Sequence, residues 1–437
     1  MKYRYRSDEE MKDSEVEWIG KIPKDWQLSR IDKEFKVRNE KVSDKKFAPL
    51  SVTKQGILPQ LESVAKTDNG DNRKKVCIGD FVINSRADRK GSCGVSDYNG
   101  SVSLICNVLT PKELNSRYIH NLFRNYYFSE EFYRWGSGIV DDLWSTNIER
   151  MKKINIPIPI EKEQNKIAKF LDEKTSDFDN IISKKEKLIE KSEEAKKSLI
   201  SEVVTGKVKV VKNGEDFEIV KRNDSDMKDS GVEWIGKIPK DWTIEKFSYL
   251  IKIKNGQVDP RTSPYKEMTL IAPNHIESNS GKIISLETAL EQRADSGKYI
   301  CDKDDIIYSK IRPNLCKVCI SPCMCLCSAD MYPMKSNSKK LLQNYILWIL
   351  LSDNFTKYAI LESERVAMPK INRESLSKFK IALPSLEEQI ILNNFLIEYD
   401  KNINHVIEKM NLQIAKLKEA KQALISEAVT GKIEILD

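Results

Sequence analysis

Histidine is scarce in this chain of 437 residues, with only His120, His275 and His405 present, far apart in the sequence. Few side chains are therefore available for histidine-based metal sites or for general base catalysis near neutral pH. The most apolar stretch, residues 341–351, contains polar interruptions and is shorter than the roughly 18 to 20 residues that cross a bilayer. The first ten residues lack the apolar segment of a secretory signal. We therefore predict a cytoplasmic chain without a membrane-spanning helix.

Motifs for nucleotide and methyl-donor chemistry are also missing. Lys207 and Lys432 each follow Thr-Gly, but the upstream glycine and the following Ser or Thr of a phosphate-binding loop are replaced. A glycine that ends a helix explains both segments. There is no Asn-Pro-Pro-aromatic or Asp-Pro-Pro-Tyr segment of the kind an amino-methyltransferase needs. These absences favour a binding function over a self-sufficient methylase or nuclease.

Nine cysteines are present, an odd number that in a cytosolic chain is best interpreted as reduced thiols. Five of them are close in sequence, at Cys316, Cys319, Cys323, Cys325 and Cys327. The last three alternate with Met324 and Leu326, so a strand would place all three thiols on one buried face. We predict buried thiols and no metal site; zinc binding is the alternative.

An internal repeat dominates the sequence. Residues 11–26, MKDSEVEWIGKIPKDW, recur as residues 227–242 with one difference, Glu15 against Gly231. Residues 147–164 likewise resemble residues 372–389, and LISEVVTGK near residue 200 matches LISEAVTGK near residue 425. The chain therefore consists of two copies of one unit, and we call these repeated pieces the framework segments.

Between the framework segments the two copies diverge. Insert one, residues 27–146, and insert two, residues 243–371, share only short pieces such as GDFVINSR against DDIIYSKI. Both mix strand-like and helix-like runs, which predicts two α+β domains of about 130 residues. Two different inserts on one repeated scaffold indicate two distinct recognition surfaces.

Each copy ends in a long helix without internal proline or glycine. Apolar residues recur at spacings of three and four, as expected for a coiled-coil seam, over a rod of about 65 Å. The predicted seam residues are Ile167, Leu171, Phe178, Ile181, Leu188, Ala195 and Leu199 in the first helix, and Leu392, Leu396, Tyr399, Ile403, Val406, Met410, Ile414, Leu417, Ala420 and Leu424 in the second.

The polar linker, residues 207–226, is short, so the second unit must begin near the end of the first helix. The two helices are therefore predicted to pair antiparallel, with one insert at each end and a pseudo-twofold axis between them. The first VEWIGKIPKDW segment is then expected near the end of the second helix. An alternative is that the helices separate and each pairs with another chain.

Positive charge points to nucleic acid. The net charge is +7, and each insert alone is basic. Arg, Asn and Ser in a loop at the end of a strand suit the reading of base edges, because Arg pairs with guanine and Asn with adenine, while neighbouring lysines hold phosphates. The candidate DNA-binding residues in such loop-like stretches are Lys74, Lys75, Ser85, Arg86, Arg89, Lys90, Lys310, Arg312 and Asn314.

The repeated VEWIGKIPKDW, the IPIP-x-x-x-EQ and LP-x-x-x-EQ segments that begin the helices, and LISE-x-VTGK resemble the specificity subunit of type I restriction-modification enzymes. The resemblance covers essentially the whole chain. It implies target recognition domains at residues 11–160 and 227–385, spacer helices at residues 161–206 and 386–431, and a linker at residues 207–226.

This resemblance implies a subunit without catalysis of its own. Each recognition domain would read one half of a bipartite, asymmetric site in double-stranded DNA, and the helices would set the spacer. Two methyltransferase subunits would dock on the helices, and a translocase and nuclease subunit would join for restriction. S-adenosylmethionine, ATP and Mg would be bound by those partners and none by this chain. A coiled-coil adaptor whose basic inserts bind other proteins is the alternative function.

Overall fold

Small, mostly antiparallel sheets, short helices and two helices of 44 residues make up the part of the chain that the computed structural model describes, residues 2–60, 70–138, 144–214, 216–363 and 369–436. The long helices are Glu161–Val204 and Leu386–Val429. The chain divides into unit 1, residues 1–185 and 411–437, and unit 2, residues 186–410. Each unit therefore contains one insert and one half of each long helix.

In its described residues, unit 1 contains short strands and four short α-helices besides its share of the long helices. The strands are Tyr3–Tyr5, Met11–Asp13, Lys21–Pro23, Gln27–Arg30, Phe35–Val37, Lys41–Val42, Leu50–Thr53, Gly56–Pro59, Arg73–Val76, Phe81–Asn84, Cys93–Val95, Gly100–Val102, Cys106–Pro111, Asn155–Ile158 and Ile433–Ile435. The short helices are Ile31–Glu34, Ser116–Phe123, Tyr126–Arg134 and Ile148–Met151.

Unit 2 has the same kinds of elements. Its strands are Val208–Asn213, Asp216–Lys221, Met227–Asp229, Lys237–Pro239, Thr243–Lys246, Ile251–Ile253, Gln257–Val258, Leu270–Ile271, Lys298–Cys301, Ile306–Ser309, Val318–Ile320, Cys325–Cys327, Met331–Ser336 and Lys380–Leu383. Its short helices are Phe247–Leu250, Tyr345–Leu351, Asp353–Ser363 and Arg373–Lys378.

Each insert contains a four-stranded sheet, and the strand order is the same in both sheets although the sequences differ. In insert one the antiparallel order is Cys93–Val95, Phe81–Asn84, Cys106–Pro111, Phe35–Val37. Insert two has the same order with Val318–Ile320, Ile306–Ser309, Met331–Ser336 and Ile251–Ile253. Phe81–Asn84 and Ile306–Ser309, which lie in the short pieces of sequence that the inserts share, are equivalent strands. The predicted α+β architecture of both inserts is confirmed.

A buried carboxylate lies just before each of these equivalent strands. Asp80 is 1% exposed and accepts a hydrogen bond of 2.7 Å from Arg38 Nε. Asp305 is also 1% exposed and pairs with Lys254. A buried carboxylate is retained only with such partners, so each pair holds the first residues of its strand against the neighbouring strand.

The tryptophan that ends each VEWIGKIPKDW segment anchors the first turn of a long helix. Trp26 is 1% exposed, and its Nε1 donates a hydrogen bond of 2.7 Å to Glu163. Glu163 also pairs with Arg6 at 2.5 Å, while burial raises the pKa of its carboxyl. The same three roles in unit 2 belong to Trp242, Glu388 and Arg222.

The glycine of each Val-Thr-Gly-Lys segment lets the end of a long helix approach the framework. Gly431 has φ +72, and a Cβ there would lie 2.4 Å from Cδ of Pro23 and 3.1 Å from Trp26. Gly206 has φ +70 and faces Pro239 in the same way at 2.5 Å. The first VEWIGKIPKDW segment therefore lies against the end of the second helix, as the sequence predicts.

Cross-helix contacts show that the helices pair antiparallel within each unit. In unit 1, Lys421 Nζ donates to both carboxylate oxygens of Asp179 at 2.7 Å, and Lys185 Nζ donates to Gln413 at 2.7 Å. From the first of these contacts to the second, the residue numbers rise in the first helix and fall in the second, so the two helices run in opposite directions. Unit 2 contains the corresponding cross-helix ion pair between Lys196 and Asp400. The predicted antiparallel pairing is confirmed.

Part of the predicted seam is wrong. Ile181, Leu188 and Val406 are 45%, 49% and 42% exposed, and Ala195 and Ala420 are also exposed. In the first helix the buried positions are one residue later, at Ile182 and Lys196. The aliphatic part of a lysine packs like a hydrophobe once its ammonium is paired, so a count of apolar letters misses it.

The polar linker forms a β-hairpin that the chain ends reproduce. Val208–Asn213 pairs with Asp216–Lys221 in unit 2, with Val208 opposite Lys221. In unit 1, Tyr3–Tyr5 pairs with Ile433–Ile435, with Tyr5 opposite Ile433. The two ends of the chain thus occupy the place that a continuous hairpin takes in the other copy.

The cysteine prediction is partly wrong. Cys325 and Cys327 are fully buried, but Cys323 is exposed, because the strand begins only at Cys325. Leu326 is buried as well, so both faces of this strand are covered. Hydrogen bonding to Cys301 and burial raise the pKa of Cys325, which keeps its thiol protonated. Among the described residues, no group of three or more metal-ligating side chains is suitably placed for a metal ion.

Candidate nucleic-acid interface

The loops that follow the equivalent strands Phe81–Asn84 and Ile306–Ser309 occupy the same place in the two inserts. The carbonyl of Ser85 accepts a hydrogen bond of 3.0 Å from the backbone of Thr146. The carbonyl of Lys310 accepts one of 2.9 Å from Ile371. Each loop is therefore tied to the segment just before a short helix, and its exposed side chains have a defined backbone beneath them.

Asparagine caps fix these short helices. Asn147 accepts a hydrogen bond from the backbone of Arg150 at 3.0 Å, and Asn372 accepts one from Ser375 at 2.7 Å. An N-cap of this kind typically contributes about 1 kcal/mol to helix stability. Both asparagines stand in the repeated sequence, so the repeat itself carried the signal for this cap.

In insert one, the loop exposes two of the predicted side chains, Arg86 and Arg89. Ser85 is buried, whereas Arg86 is exposed and its guanidinium has no hydrogen bond or ion pair within the described part of the chain. Arg89 is exposed beside Asp88 at 3.6 Å. Lys90 pairs with Glu130 at 2.6 Å. Arg86 is thus the loop side chain that is free to form a new bidentate contact.

The predicted loop around Lys74 and Lys75 is wrong, because both lie within the strand Arg73–Val76. Lys74 Nζ donates 2.7 Å to the carbonyl of Cys106, and burial lowers its pKa. Lys75 pairs with Glu40 at 3.0 Å. The ammonium groups of both lysines are therefore held by groups of their own domain.

In insert two, the loop exposes Arg312 and Asn314. Arg312 has φ 48, in the left-handed region, and its backbone N–H donates 2.9 Å to Pro369. Asn314 lies in the following turn, Pro313–Leu315, and is exposed. Lys310 is directed back to its own domain, because its Nζ donates 2.7 Å to the carbonyl of Ala329.

An aromatic residue beneath the second loop was not anticipated from the sequence. The guanidinium of Arg373 lies 5.1 Å from the ring centre of Tyr332, and the ammonium of Lys310 lies 5.7 Å from it. Such cation–π contacts hold the cations at the ring. Arg373 follows the capping residue Asn372, so its place in the repeat was visible, but its contact with a distant strand was not.

The carboxylates near the second loop serve a structural role. Asp305 is buried and paired with Lys254, and Asp302 shares that lysine at 2.6 Å. Lys310 makes no contact with Asp305 and instead bonds to a backbone carbonyl. These acidic groups are engaged in ion pairs that support the strand.

No helix among the described residues is sufficiently long and apolar to cross a membrane.

Comparison with known families gives two matches to one family model. Residues 23–191 and 239–416 match the model for the type I restriction modification DNA specificity domain. Each match contains one of the two inserts together with part of a long helix. The internal repeat thus corresponds to two copies of this specificity domain.

Individual relatives agree with this match. The chain is 27% identical over 284 residues to the type I restriction enzyme EcoDI specificity subunit of Escherichia coli, covering 64% of this chain and 62% of that relative. It is 23% identical over 435 residues to the type I restriction enzyme MjaVIII specificity subunit of Methanocaldococcus jannaschii, covering 95% of this chain and 94% of that relative.

A solved structure that describes "complex assembly and conformational transition of the type I R-M system" has a similar fold, with a TM-score of 0.68 at 14% identity over 94% of this chain and 99% of that one. Because the specificity-domain model matches most of the sequence, the chain belongs to the type I restriction-modification DNA specificity family, whose specificity subunits are non-catalytic DNA recognition subunits.

Proposed function

We propose that each insert reads one half of a bipartite, asymmetric DNA site and that the paired long helices set the length of the unread spacer. One observation carries the proposal: two specificity domains share a sheet order but present different side chains at the same loop. Equivalent loops with different side chains select different bases. The recognised site is therefore not palindromic.

The base-reading side chains we propose are Arg86 in insert one and Arg312 with Asn314 in insert two. All three are exposed, and their side chains have no hydrogen-bonding partner among the residues that the structure describes. Arg pairs in bidentate fashion with guanine and Asn with adenine in the major groove. Arg89, which is exposed, is assigned to a phosphate contact that positions the loop without reading sequence, whereas Lys90 already pairs with Glu130 and has weaker support.

The other predicted cations have weaker support as DNA contacts. Lys74, Lys75 and Lys310 each bind a carbonyl or carboxylate of their own domain. Ser85 is buried, so its role is to hold the loop backbone. Their replacement should disturb the shape of the loop or the sheet more than any single base contact.

We further propose that two methyltransferase subunits dock on the long helices and that a translocase and nuclease subunit joins for restriction. Exposed apolar side chains on these helices support a docking role; they are Ile181, Leu188, Ile390, Ile397, Val406 and Leu412. Methyl transfer and ATP-driven steps then belong to the partners, which bind S-adenosylmethionine, ATP and Mg. Because the proposed partners methylate chromosomal DNA, we propose that the complex acts in the cytoplasm.

The test is a map of methylated adenines in cells that contain the complex with wild-type or altered specificity chain. Arg86→Ala should cost about 1 to 3 kcal/mol against its half-site and relax specificity at one position there. Arg312→Ala should do the same in the other half-site only. Arg117→Ala, an exposed arginine paired with Asp97 outside the loop, is the control and should leave the map unchanged.

The outcomes separate the alternatives. Equal loss of binding to all sequences would reassign Arg86 or Arg312 to phosphate contacts. A map that does not depend on this chain, together with no sequence-specific retention of duplex DNA, would support the protein-binding adaptor instead. An equal insertion in both long helices should widen the spacer and leave both half-sites unaltered; an unchanged spacer would contradict the ruler role.

A further inference from the structure

A cleft in unit 1 contains more cations than carboxylates. It has a volume of about 930 Å³ and opens beside the loop that ends at Lys90. Insert one contributes residues from a hairpin turn and from two short helices, and the unit 1 portions of the two long helices complete the wall. The charged residues and the histidine that line it are Lys54, Lys90, His120, Arg124, Glu130, Asp179 and Lys421.

Two of the four cations are neutralised by the two carboxylates. Lys90 pairs with Glu130 at 2.6 Å, and Lys421 pairs with both oxygens of Asp179 at 2.7 Å. The remaining two cations make no ion pair with the carboxylates in the cleft, so the cleft carries a net positive charge. A polyanion is the ligand class that such a cleft attracts.

Arg124 is held in place by neutral groups. Its Nη2 donates 2.5 Å to the carbonyl of Lys54, and its Nη1 donates 3.1 Å to the carbonyl of Gln55. These carbonyls fix the guanidinium at the turn between the strands Leu50–Thr53 and Gly56–Pro59 without cancelling its charge. A positioned but uncompensated guanidinium is suited to a phosphate oxygen.

His120 adds an independent sign that an acceptor is missing. Its Nδ1 lies 3.3 Å from the backbone N–H of Val95, and its Nε2 lies 3.2 Å from Nη1 of Arg124. Both neighbours are obligate donors, whereas a neutral imidazole has only one nitrogen that accepts. If Nδ1 accepts the hydrogen bond from Val95, the proton of the neutral imidazole is on Nε2. The Nε2–H group and Nη1 of Arg124 are then two donors that face each other without an acceptor. An anionic oxygen that lies beside this pair, within hydrogen-bonding distance of both nitrogens, would accept from both.

We propose that this cleft grips a phosphodiester of the DNA backbone next to the half-site read by insert one, with Arg124 and His120 as donors and Lys54 as an accompanying cation. The inference rests on the proposed DNA-reading function. Lys90 belongs both to the cleft and to the loop that carries Arg86, so the grip is continuous with the proposed base-reading surface. The contact contributes affinity and register rather than sequence preference.

The experiment compares Lys54→Gln and Arg124→Gln with Lys45→Gln in the assembled specificity and methyltransferase complex. Lys45 is exposed in the same insert but does not line the cleft, so it matches the charge change. Binding to the cognate duplex and to an unrelated duplex is measured by fluorescence anisotropy between 50 and 200 mM salt. Thermal unfolding of each variant reports whether the fold is retained.

One phosphate contact changes affinity about 3-fold over this salt range, because the slope of log affinity on log salt is about 0.9 for each phosphate. Lys54→Gln and Arg124→Gln should each reduce that slope by about 1 and weaken both duplexes by the same factor. Lys45→Gln should change neither the slope nor the affinity for either duplex. Loss confined to the cognate duplex, or slopes equal to that of Lys45→Gln, would overturn the proposal.

A neutral methylphosphonate placed at single positions flanking the half-site locates the contact. At one position it should weaken the wild-type complex and have no further effect on the Arg124→Gln complex. A cleft that binds only free phosphate would show inhibition by inorganic phosphate without any methylphosphonate position effect, and this would also overturn the proposal. If the wild-type complex prefers its cognate duplex while these variants behave like the control, only the cleft proposal fails.

Discussion

The two inserts have the same internal supports and different surfaces. Both have the same four-stranded sheet order, a buried aspartate paired with a cation, and an asparagine-capped short helix. The loops that follow the equivalent strands differ in their side chains. A domain can therefore keep its sheet while its loop residues change. The buried aspartate and the asparagine cap lie at the start of a strand and the start of a helix, and not in the reading loops.

The second sheets differ more. In insert one the strand Arg73–Val76 contains a buried arginine that bonds to Ser101. In insert two the corresponding region is a four-stranded sheet with Cys301, Cys325 and Cys327 in its core. In insert one, Val76 and Val102 of this layer pack in an apolar core beside the buried arginine, whereas in insert two the core of the layer contains small apolar thiols. The layer therefore tolerates a buried polar contact in one domain when its polar atoms are satisfied.

The largest effect is expected at the end of the second long helix. Gly431→Ala would place a Cβ at 2.4 Å from Pro23 on a backbone with φ +72. Gly236→Ala has the same φ of +72 but nothing within 4 Å. We expect about 3 kcal/mol of lost stability for the first and about 1 kcal/mol for the second. Backbone hydrogen exchange measures the two losses of stability, in unit 1 for Gly431→Ala and in unit 2 for Gly236→Ala. Equal losses would show that the contact with Pro23 is dispensable.

The buried aspartates should differ in their contribution. Asp80 uses both oxygens, accepting from Arg38, from Thr110 at 2.6 Å and from the backbone of Cys77 at 2.8 Å. One oxygen of Asp305 has no hydrogen-bonding partner among the residues that the structure describes. We therefore expect Asp80→Asn to cost about 3 kcal/mol and Asp305→Asn about 2 kcal/mol. Hydrogen exchange of the strands that follow is the measurement, and the reverse order would contradict this account.

Acid should weaken unit 1 through His120. Burial, aided by Arg124 and Arg117, lowers the pKa of His120 from 6.5 to about 4. Because the folded state disfavours the protonated form, its contribution is complete above about pH 6.5 and is lost as the pH falls towards 4. Between pH 7 and pH 5 the loss is about 2 kcal/mol. Urea unfolding at both pH values should show a smaller pH dependence for His120→Gln; an unchanged dependence would exclude His120 as the cause.

The smallest differences concern the cross-helix ion pairs. Lys196 is 8% exposed at its side chain, whereas Lys421 pairs with Asp179, which is 64% exposed. Lys196→Met should cost about 1 to 2 kcal/mol because it leaves Asp400 half-buried and without its partner. Lys421→Met should cost less than about 1 kcal/mol. Adding Asp400→Leu to Lys196→Met should recover the loss, and failure to do so would indicate a role beyond charge pairing.

Much of the fold follows from the repeat. Two copies of VEWIGKIPKDW and two long helices were enough to predict antiparallel pairing, because a short linker leaves no other return path. The seam was less predictable. Lys196 is buried in place of Ala195 since its ammonium meets Asp400 across the helix pair, a contact that no spacing within one helix reveals.

The candidate interface was predictable only in part. The sequence located Arg86 and Arg312 because each follows a strand-like run, and both prove to be exposed. The sequence assigned Lys74 and Lys75 to a loop, because three consecutive basic residues do not show the alternation that predicts a strand. The cleft around Arg124 was not found, because its residues come from segments more than 300 positions apart in the chain.

The sequence by itself determined the duplicated plan, the two unlike inserts and the family, since these depend on repeated letters and on local periodicity. Only the tertiary structure decided which cations remain available. Lys74 and Lys75 are partly buried and bonded to their own domain, whereas Arg86 and Arg312 are exposed without a side-chain partner among the described residues, and Arg124 keeps a charge that its carbonyl partners do not cancel. That distinction depends on which distant segments the fold brings within hydrogen-bonding distance.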